Sequence, residues 1–481
     1  MPPLGQVTTP AGPTADLLAC RTVGVSGFRS GATGHSGGTA PDPPRRDHRC
    51  SSLNRPGHAL TEAGSPSRAA DSVPVGAPGL DVVGIGEDGW DGLSPAARAV
   101  LTSADIVVGG PRQLALLGGR CPVTETWPSP LADAPNTLRA RHPDQQIAVL
   151  ASGDPLMYGI ASTLIAACGP EAIHVHPGLS SVTLACARLG WAAQDVTVVS
   201  AVARPLDALT AELADRRRIL VLTCTDAKDV AALLVQRGFG SSTMTVLARL
   251  GGPAETIHAS AADSWSDPPH DPLAVVAVDC RGQGLSRLAG LPDNCFDHDG
   301  ALTKREVRAI TLAALGPRPG ELLWDIGAGS GSVGIEWMRA HAANRAVAVE
   351  SRADRADRIR GNAHALGVPG LQVTHGQAPD VLTGLPQPDA IFIGGGLTSD
   401  GVIDACLAAL PSDGRLVANA VTVEGEHILQ TLHAGQGGAL RRIQISALDA
   451  VGSYHAFRPA LPLTQWTFSG ATPSPYRQVE T

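Results

Sequence analysis

Aromatic residues are scarce, with Phe, Trp and Tyr together making up 3% of 481 residues. Lysine is scarcer still, confined to Lys228 and Lys304, so nearly every basic side chain is arginine. Alongside 55 glycines and 38 prolines, this bias points to G+C-rich coding DNA more than to a physical demand. No stretch approaches the roughly 18 consecutive apolar residues of a membrane span. The start shows no charged segment followed by an apolar core, so neither a membrane anchor nor a signal peptide is expected. The nine cysteines are odd in number and never spaced C-x-x-C. That argues against a disulfide framework or a metal site and for a reducing, cytoplasmic setting. A net charge of −8 offers a polyanion no basic field, so nucleic acid is not an expected partner.

The length predicts about three domains of roughly 150 residues each. Residues 1–78 carry clusters such as Pro41-Asp-Pro-Pro-Arg-Arg46 with little apolar periodicity. Such a composition cannot bury enough surface to offset the entropy of ordering. This extension is expected to be disordered or to precede a later translation start near Val73, with a binding tail as the alternative. A first domain is expected over 79–281. Apolar runs beginning at Leu80, Ala104, Gln146 and Ala172 each end in a glycine-bearing loop, and helical patterns alternate with them. Ser94 and Pro95 suit the cap and first turn of one such helix. Alternation of this kind means an α/β unit with a largely parallel sheet. Further strands, beginning at Val196, Arg218, Thr243 and Leu273, read as a second lobe. Residues 282–299, rich in Gly, Pro, Asn and Asp, are the expected linker. A second α/β domain is expected over 300–470, with a helix over 301–315 opened by a Thr303/Glu306 capping box. Five strands and a closing antiparallel pair within 439–468 follow, and 471–481 is a tail.

Two constellations carry chemistry. In the second domain, Glu321-Leu-Leu-Trp-Asp-Ile-Gly-Ala-Gly-Ser-Gly-Ser-Val-Gly-Ile-Glu336 reads as strand, tight loop and helix, where glycines let the backbone approach a ligand at a helix start. Glu350 closes the next strand, where a carboxylate faces the ribose of a bound nucleoside. Asp325 stands ahead of the glycines. An acid there would repel a pyrophosphate but suits the cationic amino-acid part of S-adenosylmethionine. His375-Gly-Gln-Ala378 offers a polar loop where adenine would sit. In the first domain, Gly84-Ile-Gly86, Ser152-Gly-Asp-Pro-Leu-Met-Tyr-Gly159 and Pro177-Gly-Leu-Ser-Ser181 lie at successive strand ends, the side on which α/β sheets bind ligands.

Residues 301–468 resemble the class I S-adenosylmethionine-dependent methyltransferases. In detail they are similar to domains that methylate carbon 15 of a corrin precursor and decarboxylate its ring C acetate. Thr303-Lys-Arg-Glu-Val-Arg308, the glycine loop, Glu350, Gly376-Gln-Ala378 and Ile393-Gly-Gly-Gly396 carry that resemblance. It implies cofactor contacts from Thr303, Asp325, Gly327, Ala328, Gly329, Ser330, Gly331, Glu350 and Ala378. Gly394, Gly395 and Gly396 would let a flat macrocycle approach, and Lys304, Arg305 and Arg308 are candidates for pairing with substrate carboxylates. Residues 80–281, with Leu250-Gly-Gly-Pro253, resemble the tetrapyrrole (class III) methyltransferases, closest to the branch acting on carbon 5. This implies a two-lobed fold with cofactor contacts from Gly86, Ser152, Gly153, Asp154, Ser180, Ser181, Cys224, Leu250 and Gly251. Arg204 is a further candidate for a substrate carboxylate. Relatives tend to show Ser-x-His-Gly-Arg-Pro where this chain has Ser200-Ala-Val-Ala-Arg-Pro205, which puts the role of that histidine in doubt.

The fold expected is therefore a two-lobed tetrapyrrole methylase followed by a Rossmann-like class I methyltransferase sheet. The order of the two resembles a fused enzyme of cobalamin biosynthesis that methylates carbons 5 and 15 of a metal-free or cobalt-bearing precursor. A homo-oligomer is expected, and no residue is singled out as a catalytic acid or base. Three alternatives stand beside this. They are a dinucleotide oxidoreductase using the Gly327 loop, a nucleic-acid methyltransferase, and a first domain that binds the cofactor without turnover.

Overall fold

A computed structural model describes residues 79–121, 123–128, 134–202, 204–223, 225–266 and 271–470. The expectations for 1–78, Cys224, Ala203 and 471–481 lie outside the described residues. In chain order, the first lobe holds β1 (Leu80–Ile85), α1 (Gly89–Gly92), α2 (Pro95–Ser103), β2 (Ile106–Gly109), α3 (Pro111–Leu116) and β3 (Thr124–Thr126). It continues with α4 (Ala134–Arg141), β4 (Ile147–Ser152), α5 (Ile160–Cys168), β5 (Ile173–His176) and α6 (Ser181–Leu189). The strands form a parallel sheet in the order β3-β2-β4-β1-β5. β1 and β4 are almost wholly apolar because both faces of a central parallel strand are covered. One face packs Leu101, Val107 and Leu150, the other Leu138, Val149 and Leu164. Ser94 caps α2 by accepting from the Ala97 N–H at 3.2 Å.

The second lobe holds β6 (Val196–Ser200), β7 (Arg218–Leu222), α7 (Ala227–Gln236), β8 (Thr243–Ala248), β9 (Thr256–Ala261) and β10 (Ala274–Asp279), in the order β6-β7-β10-β8-β9. Only β6 and β7 pair in parallel; the remaining pairs are antiparallel. The lobe therefore departs from the parallel pattern of the first. The connection from β8 to β9 is too short for a crossover, so the chain must turn straight back.

Residues 282–299 are not a free linker. Leu291 and Phe296 are buried among Leu312, Leu315 and Trp337, and the Gly290 and Leu291 N–H groups donate to Glu336 at 2.6 and 3.0 Å. The turn-forming residues shape this segment, while its two large apolar residues pin it down. Nearby, Arg287 forks onto Glu212 of the second lobe at 3.0 and 3.1 Å.

The rest comprises α8 (Arg305–Leu315), β11 (Leu322–Ile326), α9 (Ser332–Ala340), β12 (Arg345–Glu350), α10 (Ala353–Ala365), β13 (Gln372–His375), β14 (Ala390–Ile393) and α11 (Val402–Ala409). It ends with β15 (Arg415–Ala420), α12 (Val423–Gln436), β16 (Ala439–Ile443), β17 (Ser446–Val451), β18 (Tyr454–Pro459) and β19 (Leu463–Ser469). The sheet order is β13-β12-β11-β14-β15-β19-β16, parallel until β19 enters antiparallel. β17 and β18 form a separate exposed hairpin. The order reverses between β11 and β14, and such a switch opens a crevice at the strands' carboxyl ends. α8 begins one residue later than the capping box requires. Lys304 is the N-cap and its side chain caps nothing.

Candidate active sites

At the carboxyl end of β11 the chain turns through Gly327 with φ +66°. Gly327 and Ala328 both donate to the Val349 carbonyl, at 3.0 and 3.1 Å, and Gly331 caps α9. A Cβ on Gly327 would sit 2.5 Å from Gly395 Cα, so two glycine loops, after β11 and β14, pack directly on each other. Glycine is required at Gly327 itself; a Cβ on Gly395 would make only ordinary contact with Gly327 at 3.4 Å, one on Gly394 would meet the Phe392 ring at 2.7 Å, and one on Gly396 would come no closer than 3.9 Å to Ser399. Glu350 is buried. One of its oxygens accepts from the Gly329 N–H at 2.8 Å and the other from the Arg352 N–H at 3.0 Å and the Ser351 hydroxyl at 3.5 Å. An ionised carboxylate has about four acceptor positions, and three are taken, so the oxygen facing Gly329 retains capacity for a ribose hydroxyl. Gly376, leading to the buried Ala378, donates to the Glu350 carbonyl at 3.0 Å.

Asp325 corrects the expectation that its charge lines the loop. It is 1% exposed, one oxygen accepts from the Gly334 N–H at 2.9 Å, and the other has no hydrogen-bond partner. Burial, reinforced by the charge of Glu350 and opposed by the Gly334 N–H, pushes its pKa up to about 7. Asp325 thus ties the glycine loop to α9 from beneath.

Arg308 is corrected as well. At 0% side-chain exposure it donates to Glu336 at 2.6 Å, to Asp293 at 3.2 Å, to the Thr303 carbonyl at 2.5 Å and to the Leu291 carbonyl. It also lies over the Phe296 ring. It anchors the 282–299 segment and has no fork left for a substrate. Lys304 is exposed, 3.8 Å from Asp293, and Arg305 is exposed with Nε donating to the Gly290 carbonyl at 2.9 Å.

In the first domain, the three expected loops meet through glycine. A Cβ on Gly84 would collide with the Gly153 carbonyl and the Gly178 nitrogen. Beside them a cavity of about 730 Å³ opens between the two lobes, within the range of small-molecule sites. Gly86, Ser152, Gly153, Ser181, Leu250 and Arg204 line it. Asp154, Ser180 and Gly251 are not among the lining residues and shape its loops instead. Asp154 accepts from the Leu156 N–H at 2.9 Å, Ser180 caps α6 by accepting from the Thr183 N–H at 3.0 Å, and Gly251 donates to Glu255 at 2.7 Å. Sequence reasoning missed Glu87, Arg112, Gln113 and Arg249 on the same wall. Arg112 and Gln113 both donate to Ser152 Oγ, at 2.7 and 2.8 Å. Glu87 directly follows Gly84-Ile-Gly86 and Arg249 directly precedes Leu250-Gly-Gly-Pro253, but only the fold brings them together with Arg112 and Gln113.

Residues 80–264 match the family profile described as tetrapyrrole (corrin/porphyrin) methylases, and residues 294–470 match the one described as a precorrin methyltransferase domain. A relative from Sinorhizobium sp., named precorrin-6Y C(5,15)-methyltransferase (decarboxylating), is 46% identical over 399 residues, covering 82% of this chain and 96% of the relative. The chain belongs to the precorrin-6Y C(5,15)-methyltransferase family. A second member, from Mycobacterium tuberculosis, is 44% identical over 391 residues, covering 80% of this chain and 98% of its own. Among solved structures, the C-terminal domain of precorrin-6Y C5,15-methyltransferase from Rhodobacter capsulatus is 45% identical. It covers 38% of this chain and 100% of that one, with a TM-score of 0.37. Among the described residues no helix is long and apolar enough to cross a membrane.

Proposed function

We propose that this chain methylates precorrin-6Y at carbons 5 and 15 and releases the ring C acetate carboxyl as carbon dioxide, giving precorrin-8X. The observation that carries this is the match to whole family members across both halves, each half bearing its own glycine-lined site. Residues 79–281 take carbon 5; residues 300–470 take carbon 15 and the decarboxylation. S-adenosylmethionine, when bound, supplies an electrophilic methyl group at each site.

The residues present fit that cofactor. In the first cleft, Gly86, Gly153 and Leu250 offer close backbone approach while Ser152 and Ser181 offer hydroxyls. In the second, the backbone from Gly327 to Gly331 forms the floor, Glu350 has spare acceptor capacity for the ribose, Ala301 packs on Gly329 two residues before Thr303, and Ala378 follows Gly376, which donates to the Glu350 carbonyl. Among the described residues neither site presents a positioned strong base, and none is required, because the electron-rich macrocycle carbon is itself the nucleophile. The protein's task is to orient two reactants and keep water out, which is worth about 7–11 kcal/mol when the geometry is near-attack. After methylation at carbon 15 the electron-poor ring system accepts the electron pair released as the acetate loses carbon dioxide.

The test is mass spectrometry of precorrin-6Y incubated with the chain and S-adenosylmethionine. Gain of two methyl groups with loss of one carbon dioxide is expected. An unchanged mass with authentic substrate overturns the reading.

A further inference from the structure

The wall of the first cleft carries an excess of positive charge. Among its described lining residues stand three guanidinium groups, Arg112, Arg204 and Arg249, against one carboxylate, Glu87. The chain as a whole carries a net charge of −8, so this concentration of positive charge is local. Beside it, Met157, Tyr158, Leu179 and Val202 line the same cavity and are exposed despite being large and apolar. A flat apolar ring system edged with carboxylates matches both features.

Glu87 lies between the two arginines of opposite lobes. It pairs with Arg112 on α3 and lies 3.7 Å from Arg249, just past β8. Arg112 is also held by Ser152 Oγ at 2.7 Å, and Arg249 by Asp271 at 2.6 Å, so both forks are oriented before a ligand arrives. The pairs with Glu87 are partly solvated, with side-chain exposures of 34% for Arg112, 40% for Arg249 and 16% for Glu87. Ion pairs of that kind contribute little and exchange readily. A planar guanidinium fork favours carboxylate over most other acceptors.

We propose that Arg112 and Arg249 bind a peripheral carboxylate of the macrocycle during methylation in the first cleft, and that Glu87 occupies their forks until the substrate carboxylate displaces it. This rests on the functional reading above and adds to it the residues that recognise the substrate. Arg112 and Arg249 are positioning residues, since the methyl-accepting carbon need not touch them.

The two signs of the effect make the test specific. In the full chain, with precorrin-6Y and excess S-adenosylmethionine, Arg249→Gln is expected to raise KM for carbon 5 methylation about tenfold, the size of a lost charged hydrogen bond. kcat and the affinity for S-adenosylmethionine, measured by titration calorimetry, stay near wild type. Arg249→Lys restores part of the loss. Glu87→Gln is expected to lower KM on the order of two- to fivefold, because a competitor worth no more than an exposed pair has been neutralised. A purely structural ion pair predicts the opposite for Glu87→Gln, with KM raised or unchanged. Either that result or an unchanged KM in Arg249→Gln overturns the assignment alone. Failure of the wild-type chain to add any methyl to carbon 5 overturns the functional reading and this assignment with it.

Discussion

In the first cleft, charged side chains stand on an open wall between two sheets; around Gly327 the charges are buried and the backbone forms the surface. Arg112 and Arg249 are partly solvated, whereas Arg308 and Asp325 are sealed from water. The two halves of the chain therefore hold their sites together differently. The first is assembled by two lobes closing on a cavity, and its polar groups stay available to a ligand. Glycine-on-glycine packing shapes the loops of both, Gly84 against Gly153 and Gly178 in the first and Gly327 against Gly395 in the second, but only the second is braced from behind by buried carboxylates. Substitutions of the charged side chains in the first should alter recognition, while those of the buried charges in the second should alter geometry and stability.

The sharpest way to break that contrast is Gly327→Val. Its side chain would meet the Gly395 backbone, and a displacement of about 1 Å at a reacting centre costs roughly a hundredfold in rate. Carbon dioxide release should fall by at least that factor. Calorimetric titration should then show one S-adenosylmethionine site per chain where the wild type shows two. Next, Arg308→Met leaves Glu336 buried without its cation. Breaking such a pair costs about 3–5 kcal/mol, which urea denaturation should read as a lower midpoint. KM for the macrocycle should not change, because Arg308 is not a substrate contact.

Asp325 gives a test through pH. Its folded pKa lies above the ordinary carboxylate value, at about 7, so the folded state binds the extra proton. Its contribution to stability therefore falls as pH rises from about 4 to about 7, on the order of 1.4 kcal/mol for each unit of displacement. Asp325→Asn keeps an acceptor for Gly334 and has no charge to bury. Its stability relative to wild type should increase between pH 5 and pH 8; an unchanged difference would show that the carboxyl is not held protonated. The smallest effect is expected from Arg287→Ala. It removes a partly exposed fork onto Glu212 and should cost about 1 kcal/mol or less, seen as a slight drop in thermal midpoint with both methylations retained.

How much of this could be read from the chain follows from locality. The strand, glycine loop and helix from Leu322 to Ala340 were legible because the hydrophobic period changes within one window. The loops at Gly84, Gly153 and Gly178 were legible as loops, and their mutual contact explains why glycine is needed. β3 and β9 were missed because Thr124–Thr126 and Thr256–Ala261 lack an apolar run and lie at sheet edges. Arg308 was misread because an amphipathic helix pattern does not show that a basic residue meets a buried acid on another helix. The same applies to Lys304, which displaces Thr303 from the cap position. Arg112 and Arg249 belong to separate lobes, and only the tertiary fold brings them to one carboxylate.

The central claim is that one chain carries two separate methyl-transfer sites. It is tested most directly by mixing two singly disabled chains. Gly84→Val should close the first cleft, since its side chain would strike Gly153 and Gly178, and Gly327→Val should close the second. Incubated with precorrin-6Y and S-adenosylmethionine, neither chain alone should yield the doubly methylated, decarboxylated product in the mass spectrum. The mixture should yield it. Full product from either variant alone, or none from a mixture of two folded variants, would contradict the account.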